Sequence, residues 1–445
     1  MTDLTILGGG AAGCRAAMLA AKAGLDVTLL EGDALGGAAA HEGYWCYRRL
    51  LKDAAEWGAA RRGVNGLALR PDAPLYDLAR EHMRAASTDI IKSGRDTMEA
   101  LGVQVIHAAG HVKGLRNRRY VVTTGEGEGY ESRRLLIATG SIPSAPDSVD
   151  LSDASRKGMI LSPRDLLKLP SAMGVVILGG TVRDLQMAAW LAANQVSVTL
   201  LSPTAHIAEE LDDELTAWLF QTGRLGSIHS HIDAKLASVT LGRATISTSG
   251  GGQSIRCDKL VLGGRRHPAT RGIGLGGAAI ALDNTGAVVT DLTGRTNLPD
   301  VYAAGDVNGR TQTALGAFLE AETVVANMLG ERICANYAAL PVLFKCGLGA
   351  ASVGDTEDSA AARGVKAVSV TVPVAGRRED GFVKIVADTE NRVIGAHICH
   401  QDGETGVIWG LAEIVNKALN AKAAARKITP DSLLADTAQQ ALLQF

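Results

Sequence analysis

The earliest residues able to do chemistry are three glycines. Gly8, Gly10 and Gly13 have the spacing Gly-x-Gly-x-x-Gly and directly follow the apolar run Leu4-Thr5-Ile6-Leu7. Glycine at these positions lets a strand turn sharply into a helix, lets a pyrophosphate approach the backbone, and lets helix and strand pack closely. The N-terminus of the helix that follows then faces the phosphates with its free amides. Glu31, closing a second apolar run over 26–30, can accept ribose hydroxyls. This is the chemistry of holding a dinucleotide, and alone it does not separate a nicotinamide from a flavin.

Two further segments narrow the choice. Leu135-Leu136-Ile137-Ala138-Thr139-Gly140 reads as a buried strand running into a turn of small residues. Val301-Tyr302-Ala303-Ala304-Gly305-Asp306, five residues after Thr296, reads as a strand delivering an aspartate to a ribityl hydroxyl. Three such pieces in this order point to FAD.

The elements that must position these residues follow from hydrophobic patterning. An alanine-rich helix is expected over 14–24 and a strand over 26–30. The design repeats with a strand at 175–178, the turn Gly179-Gly180-Thr181, a helix over 185–193 and a strand over 196–201, a repeat at domain scale. Helical periodicity fills 76–101. Beyond Pro341 the pattern changes to strands at 367–374, 381–387 and 393–397, then helices over 404–425. The boundaries are expected at Pro143 to Pro146, at Pro163 and near Pro341.

Composition agrees with several α/β domains around a nucleotide. The chain has 445 residues, 46% hydrophobic and 21% charged, with 52 glycines and only 4% aromatics. Lys plus Arg (45) nearly cancels Asp plus Glu (47), which argues against a nucleic-acid partner. No apolar run approaches the ~18 residues of a membrane span. The N-terminus enters a strand without a basic segment, so no signal peptide is read and a cytoplasmic protein is expected. Six cysteines without a CxxC suit a reducing compartment.

At these residues the sequence resembles the flavoprotein disulfide reductases, the family of dihydrolipoamide dehydrogenase, glutathione reductase and mercuric reductase. Leu35-Gly36-Gly37 looks like the opening of that family's redox-disulfide segment. Ala350-Ala351-Ser352-Val353-Gly354, Gly381-Phe382-Val383-Lys384 and Gly395-Ala396-His397 look like its interface domain. The resemblance implies an α/β homodimer with two Rossmann-like dinucleotide-binding domains and a C-terminal α+β dimerisation domain. The expected division is FAD domain over 1–145 and 271–338, NAD(P)-binding-like domain over 146–270, and interface domain over 339–445. The expected FAD contacts are Gly8, Gly10, Gly13, Glu31, Gly36, Gly37, Thr139, Gly140, Gly305 and Asp306.

The catalytic residues of the family do not carry over. Its two cysteines, four residues apart, fall on Ala39 and Tyr44 when aligned without gaps. Cys46 is two residues further on, about 200° around a helix, and is expected to be a packing thiol. The family's C-terminal histidine and glutamate fall on Ala435 and Gln440, neither able to move a proton near neutral pH. The tail would then cover a partner's site or form a surface helix. In the second βαβ unit the three glycine positions are Gly179, Thr181 and Asp184. Thr181 is expected to crowd the turn and Asp184 to repel a pyrophosphate. Ser202 replaces the ribose-binding acid, while Gln186 and Arg48 replace a Glu–Lys pair beside the flavin. NAD(P) binding is therefore doubtful.

What replaces the disulfide is the group His41, Tyr44, Trp45 and Tyr47. Tyr44, His41, Trp45 and Arg48 are the candidate catalytic or substrate-contacting residues. The paired histidines His229/His231 and His397/His400 lack further ligands at zinc-site spacing, so no metal is expected and they read as solvated or interface residues. The expectation is an FAD-dependent oxidoreductase that oxidises a small organic substrate directly at the flavin, with oxygen or another acceptor. The alternatives are an NAD(P)H-dependent quinone or acceptor reductase and a non-catalytic flavin-binding dimer.

Overall fold

The computed structural model describes residues 2–42, 75–168, 173–194, 196–222, 225, 227–264 and 266–445. The chain divides into two compact units, one drawn from 1–49, 81–144 and 265–337, the other from 50–80, 145–264 and 338–445.

In the first unit, β1 (Thr2–Leu7) and β2 (Val27–Leu30) run parallel, with Leu4 opposite Val27 and Leu7 opposite Leu30. On its other side β1 pairs in parallel with the strand Gly129–Ile137, which in turn carries Val301–Ala303, also in parallel. In register, Leu7 lies opposite Ile137 and Ile137 opposite Ala303. Three carboxyl ends therefore finish side by side, and each runs into one of the motif segments. Ligands of open α/β sheets bind at this edge. These strands are apolar because both faces are covered: Leu4, Ile6, Leu135 and Leu136 are fully buried.

Helix α1 spans Ala11–Lys22, three residues earlier than the expected start at 14. The reason is Gly13, which belongs to the first helical turn and not to the loop before it. Ala12, Ala16, Ala17 and Ala20 form its buried stripe, facing a core that includes Val324 and Val325 of the helix Ala314–Met328. Two further helices follow: the short α2 (Gly37–His41), and the long helix α3 (Leu75–Ala100), whose Ser87 hydroxyl donates to the Ala40 carbonyl at 2.8 Å.

The second unit holds the repeat. β3 (Gly174–Leu178), α4 (Val182–Ala193) and β4 (Ser197–Leu201) form a βαβ motif in a five-stranded parallel sheet. Helix α4 starts at Val182, not 185, because Thr181 caps it. The C-terminal part is a five-stranded antiparallel sheet in the order Val342–Lys345, Gly349–Gly354, Val393–His400, Gly381–Asp388, Ala367–Pro373. The helices expected over 404–425 are Ile408–Asn416 and Ala421–Ala425. Ala418 has φ of +45° between them, and Asn420 caps the second. The last helix, α5 (Leu433–Leu443), is not a surface helix as one expectation had it: Leu434, Ala438, Ala441 and Leu442 pack into the core of the C-terminal sheet.

The histidines of this sheet also differ from expectation. His397 is fully buried and His400 nearly so, where solvated or interface residues were expected. The His397 ring lies 3.0 Å from Ser352 Oγ through Nδ1 and 3.0 Å from the Asp355 carbonyl through Nε2. Both nitrogens are thus engaged within the protein. Nearby, the buried Lys384 ammonium donates to Asp212 at 2.9 Å and pairs with Glu214 at 3.0 Å and Glu357 at 2.7 Å.

Burial holds the His397 pKa down to about 4, against an ordinary value of 6.5. The unfolded chain therefore binds a proton between these values that the native protein does not. Stability is full above about pH 6.5 and declines as the pH falls towards 4, by about 3 kcal/mol from this group. Thermal melts at pH 7.5 and pH 5 are expected to show this loss, and His397→Gln to flatten it. An equal slope in the variant would remove His397 as its source.

Candidate functional site

The turn after β1 is built for close approach. Gly8 has φ of +99°, and a Cβ there would lie 2.4 Å from the Ala138 carbonyl oxygen. A Cβ on Gly13 would lie 1.8 Å from the Gly8 oxygen. Gly10 is the opposite case: a Cβ would meet nothing within 4 Å. It forms the N-cap of α1, which has no side-chain cap and no acid in its first turn. A helix N-terminus left uncapped beside open space is a seat for an anion. The residues present fit the pyrophosphate of a dinucleotide.

Around that turn the other predicted residues converge. Gly36 donates its N–H to the Gly9 carbonyl at 2.7 Å, and Gly37, with φ of +51°, brings its backbone against Gly10. The Glu31 carboxylate accepts from the backbone amides of Gly9 and Asp33. Each oxygen has a second lone pair for a ribose hydroxyl. Thr139 donates its hydroxyl to the Ala269 carbonyl at 2.8 Å, and Gly140 has φ of +73°. Gly305 has φ of +81°, and Asp306 follows with its carboxylate 2.6 Å from the Ser141 hydroxyl.

The residues that surround Gly305 and Asp306 carried no signal in the sequence. Arg266, its side chain 1% exposed, donates to Ser141 Oγ at 2.7 Å, to the Ser141 carbonyl at 2.7 Å and to Glu42 at 2.8 Å. It also lies 3.9 Å from Asp306. The buried Glu320 accepts from the Gly305 amide at 2.6 Å, from Asn308 at 2.7 Å and from the Tyr337 hydroxyl at 2.9 Å, and burial raises its carboxyl above the usual range. In sequence Arg266 is one of two adjacent arginines, and only the pairing of Arg266–Pro268 with Ser141–Pro143 places it here. Glu42 carries no motif signal, since its partner is distant in sequence.

His41 ends α2 and its Nε2 lies 3.1 Å from the Leu35 carbonyl, so one ring nitrogen is held by its own turn. Ala39 lies in the same helix. Tyr44, Trp45, Tyr47 and Arg48, together with Cys46, lie outside the described residues. Burial raises the thiol of Cys14 to about 11, those of Cys257 and Cys346 to about 12, and that of Cys399 further still. Exposed Cys334 is also unpaired.

The second turn is unlike the first. Thr181 does not crowd it but caps α4, in a capping box with Asp184. Asp184 was expected to face a bound pyrophosphate. It is instead fully buried, accepting from the Thr181 amide at 3.1 Å, from its hydroxyl at 2.7 Å and from the Gly264 amide at 2.9 Å. Ser202 is buried too, donating to the His206 carbonyl at 2.8 Å. Gln186 donates to the Lys345 carbonyl at 3.4 Å. At the C-terminus, Ala435 is buried, and the exposed Gln440 donates to Asp436 at 2.7 Å.

A flavin-type cradle on one Rossmann-like module, a second such module and an α+β C-terminal domain define a class of flavin-dependent oxidoreductases. The chain belongs to the pyridine nucleotide-disulphide oxidoreductase family, whose model matches residues 2–321, and the family's dimerisation domain matches 340–442. It is 28% identical to a dihydrolipoyl dehydrogenase of Halobacterium salinarum, over 89% of this chain and 86% of that one. It is also 27% identical to a mercuric reductase of Streptomyces lividans, over 100% and 96% of the two chains. Among solved structures, LpdA from Mycobacterium tuberculosis superposes with a TM-score of 0.86 at 22% identity, covering 100% of this chain and 99% of that one. The latter likeness is one of fold. Among the described residues no helix is long and apolar enough to cross a membrane.

Proposed function

We propose that this protein is a cytoplasmic, homodimeric FAD-dependent oxidoreductase that exchanges electrons directly with a small organic substrate, without a disulfide relay and without a tight NAD(P)H site. One observation carries the reading. The phosphate turn at Gly10 is open and abutted by α2, and α2 bears Ala39 where the family's first thiol is expected. The bound flavin would supply a ring that accepts a hydride or electrons. Gly8, Gly10 and Gly13 would hold its pyrophosphate, Glu31 its adenosine ribose, and Asp306 its ribityl chain. Arg266 and Ser141 hold the Asp306 carboxylate in place. Buried thiols with raised pKa values offer no nucleophile to a disulfide substrate.

Tyr44, aligned with the flavin-proximal cysteine, would present a ring face and a phenol to the substrate, with Trp45, His41 and Arg48 completing the surface. Tyr44→Ala is expected to slow substrate-driven flavin reduction at least about tenfold while leaving FAD content unchanged. Tyr44→Phe separates the phenol from the ring. Stopped-flow bleaching of the flavin band checks both, and an unchanged rate in Tyr44→Ala would withdraw the role.

Family membership favours one second reading, an NAD(P)H-dependent reductase of quinones or similar acceptors. Anaerobic NADH and NADPH decide between them. Rapid bleaching that saturates at micromolar dinucleotide would establish the second reading; an oxidised spectrum over minutes, together with reduction by an organic substrate, supports the first. Failure of every substrate, reductant and acceptor would leave a non-catalytic flavin-binding dimer.

A further inference from the structure

The amides that a dinucleotide phosphate would use on α4 are answered from within the chain. The Thr181 N–H donates to Asp184 Oδ2 at 3.1 Å, the Val182 N–H to Glu210 Oε2 at 3.1 Å, and the Asp184 N–H to Thr181 Oγ1 at 3.3 Å. Asp184 also accepts from the Gly264 amide through both oxygens, at 3.0 and 2.9 Å. Two carboxylates thus occupy a helix N-terminus, a position that favours negative charge. The first turn of α1 has none.

The segment carrying Glu210 folds back over the turn. The Ala208 N–H donates to the Gly180 carbonyl at 2.5 Å, and Ala208 has φ of +57°. Ser202 lies so close to Gly180 that a Cβ there would be 2.4 Å from its Oγ. The position expected to bind a ribose therefore serves the loop. Protein atoms close in on the turn at Gly180, and the amides of Thr181, Val182 and Asp184 are used.

We infer that Asp184 and Glu210 are a built-in anion pair that takes the phosphate seat of the second module and so sets electron-donor specificity, excluding pyrophosphate-containing dinucleotides. An incoming phosphate must displace Glu210 from the Val182 amide and then sit beside the buried Asp184 charge, and like charges within a few ångströms oppose binding. Both groups are needed. Removing Asp184 alone leaves Glu210 on the turn, and removing Glu210 alone leaves the Thr181 amide engaged. The inference rests on the reading that the flavin exchanges electrons with a small substrate and not with NAD(P)H.

The test is calorimetric titration of the FAD-loaded protein with ADP-ribose and with NADH, alongside anaerobic flavin spectra. The unmodified protein is expected to show no saturable binding below about 1 mM. Asp184→Asn with Glu210→Gln keeps side-chain volume and removes both charges, and is expected to bind at least about tenfold more tightly. Thr181→Gly, Asp184→Gly and Glu210→Ala together restore the glycine turn and should tighten binding further. Glu210→Gln, on an exposed residue, should give a smaller gain and keeps the test available if the multiple variants do not fold. Micromolar binding of ADP-ribose by the unmodified protein would overturn the anion pair, as would folded charge-free variants that bind no better. If the charge-free variants bind no better while NADH leaves the flavin of the unmodified protein oxidised, the proposed function stands without the anion pair. Rapid bleaching by NADH in the unmodified protein would remove both.

Discussion

Gly13→Ala is expected to purify colourless and to resist reconstitution with FAD. The added methyl would lie 1.8 Å from the Gly8 carbonyl oxygen, a backbone atom that cannot swing away. Either α1 withdraws from β1 or the turn opens, and both destroy the seat that the phosphates need. Overpacking of this kind costs roughly 1–3 kcal/mol or more, and at the upper end FAD affinity falls by about a hundredfold. Gly10→Ala is the informative contrast. Its methyl enters open space, so the fold and melting temperature should hold while the pyrophosphate is pushed from the backbone. Asp306→Ala should give an intermediate result, with weaker retention of FAD in a folded protein. The ratio of flavin to protein absorbance after purification, and again after incubation with FAD, measures all three. A yellow Gly13→Ala protein with one FAD per chain would show that this turn is not the cradle.

The second large effect is expected with the substrates of the relatives. Dihydrolipoamide and disulfides should turn over no faster with this protein than with free FAD. Relay chemistry needs a thiolate beside the ring and a proton acceptor, and the aligned positions hold Ala39, Tyr44, Ala435 and Gln440. General acid–base catalysis alone contributes about 10²–10⁴-fold. Ala39→Cys with Tyr44→Cys is expected to let dithiothreitol reduce the flavin faster than in the unmodified protein, with full turnover still limited by the missing proton acceptor. Steady-state assays against a free-flavin control decide the matter. Turnover of dihydrolipoamide at family-like rates by the unmodified protein would show that other thiols, Cys46 foremost, do the work.

The sequence by itself makes the dinucleotide turn of this protein legible. Gly8, Gly10 and Gly13 are legible because their requirement is local: a strand, a sharp turn and a helix follow one another within a dozen residues, Gly8 and Gly13 leave no room for a Cβ, and Gly10 keeps the phosphate seat open. Asp306 and Thr139 are legible for a related reason, since each ends an apolar run, and apolar runs in such sheets deliver their last residues to the ligand edge. What only the tertiary structure decided are the partners that come from far along the chain. Arg266 meets Ser141 and Glu42 through a strand pairing with no local signature, and its side chain is almost wholly buried. Glu210 reaches the Val182 amide from a loop 28 residues later, and His397 is buried because Val393–His400 is an interior strand of its sheet. Asp184 shows the division within one residue. Its charge and its place in a degenerate glycine pattern are read directly from the sequence. That the carboxylate turns inward, onto the amides of Thr181 and Gly264, depends on where the strand Lys259–Leu262 ends, a fact of packing that no local pattern encodes.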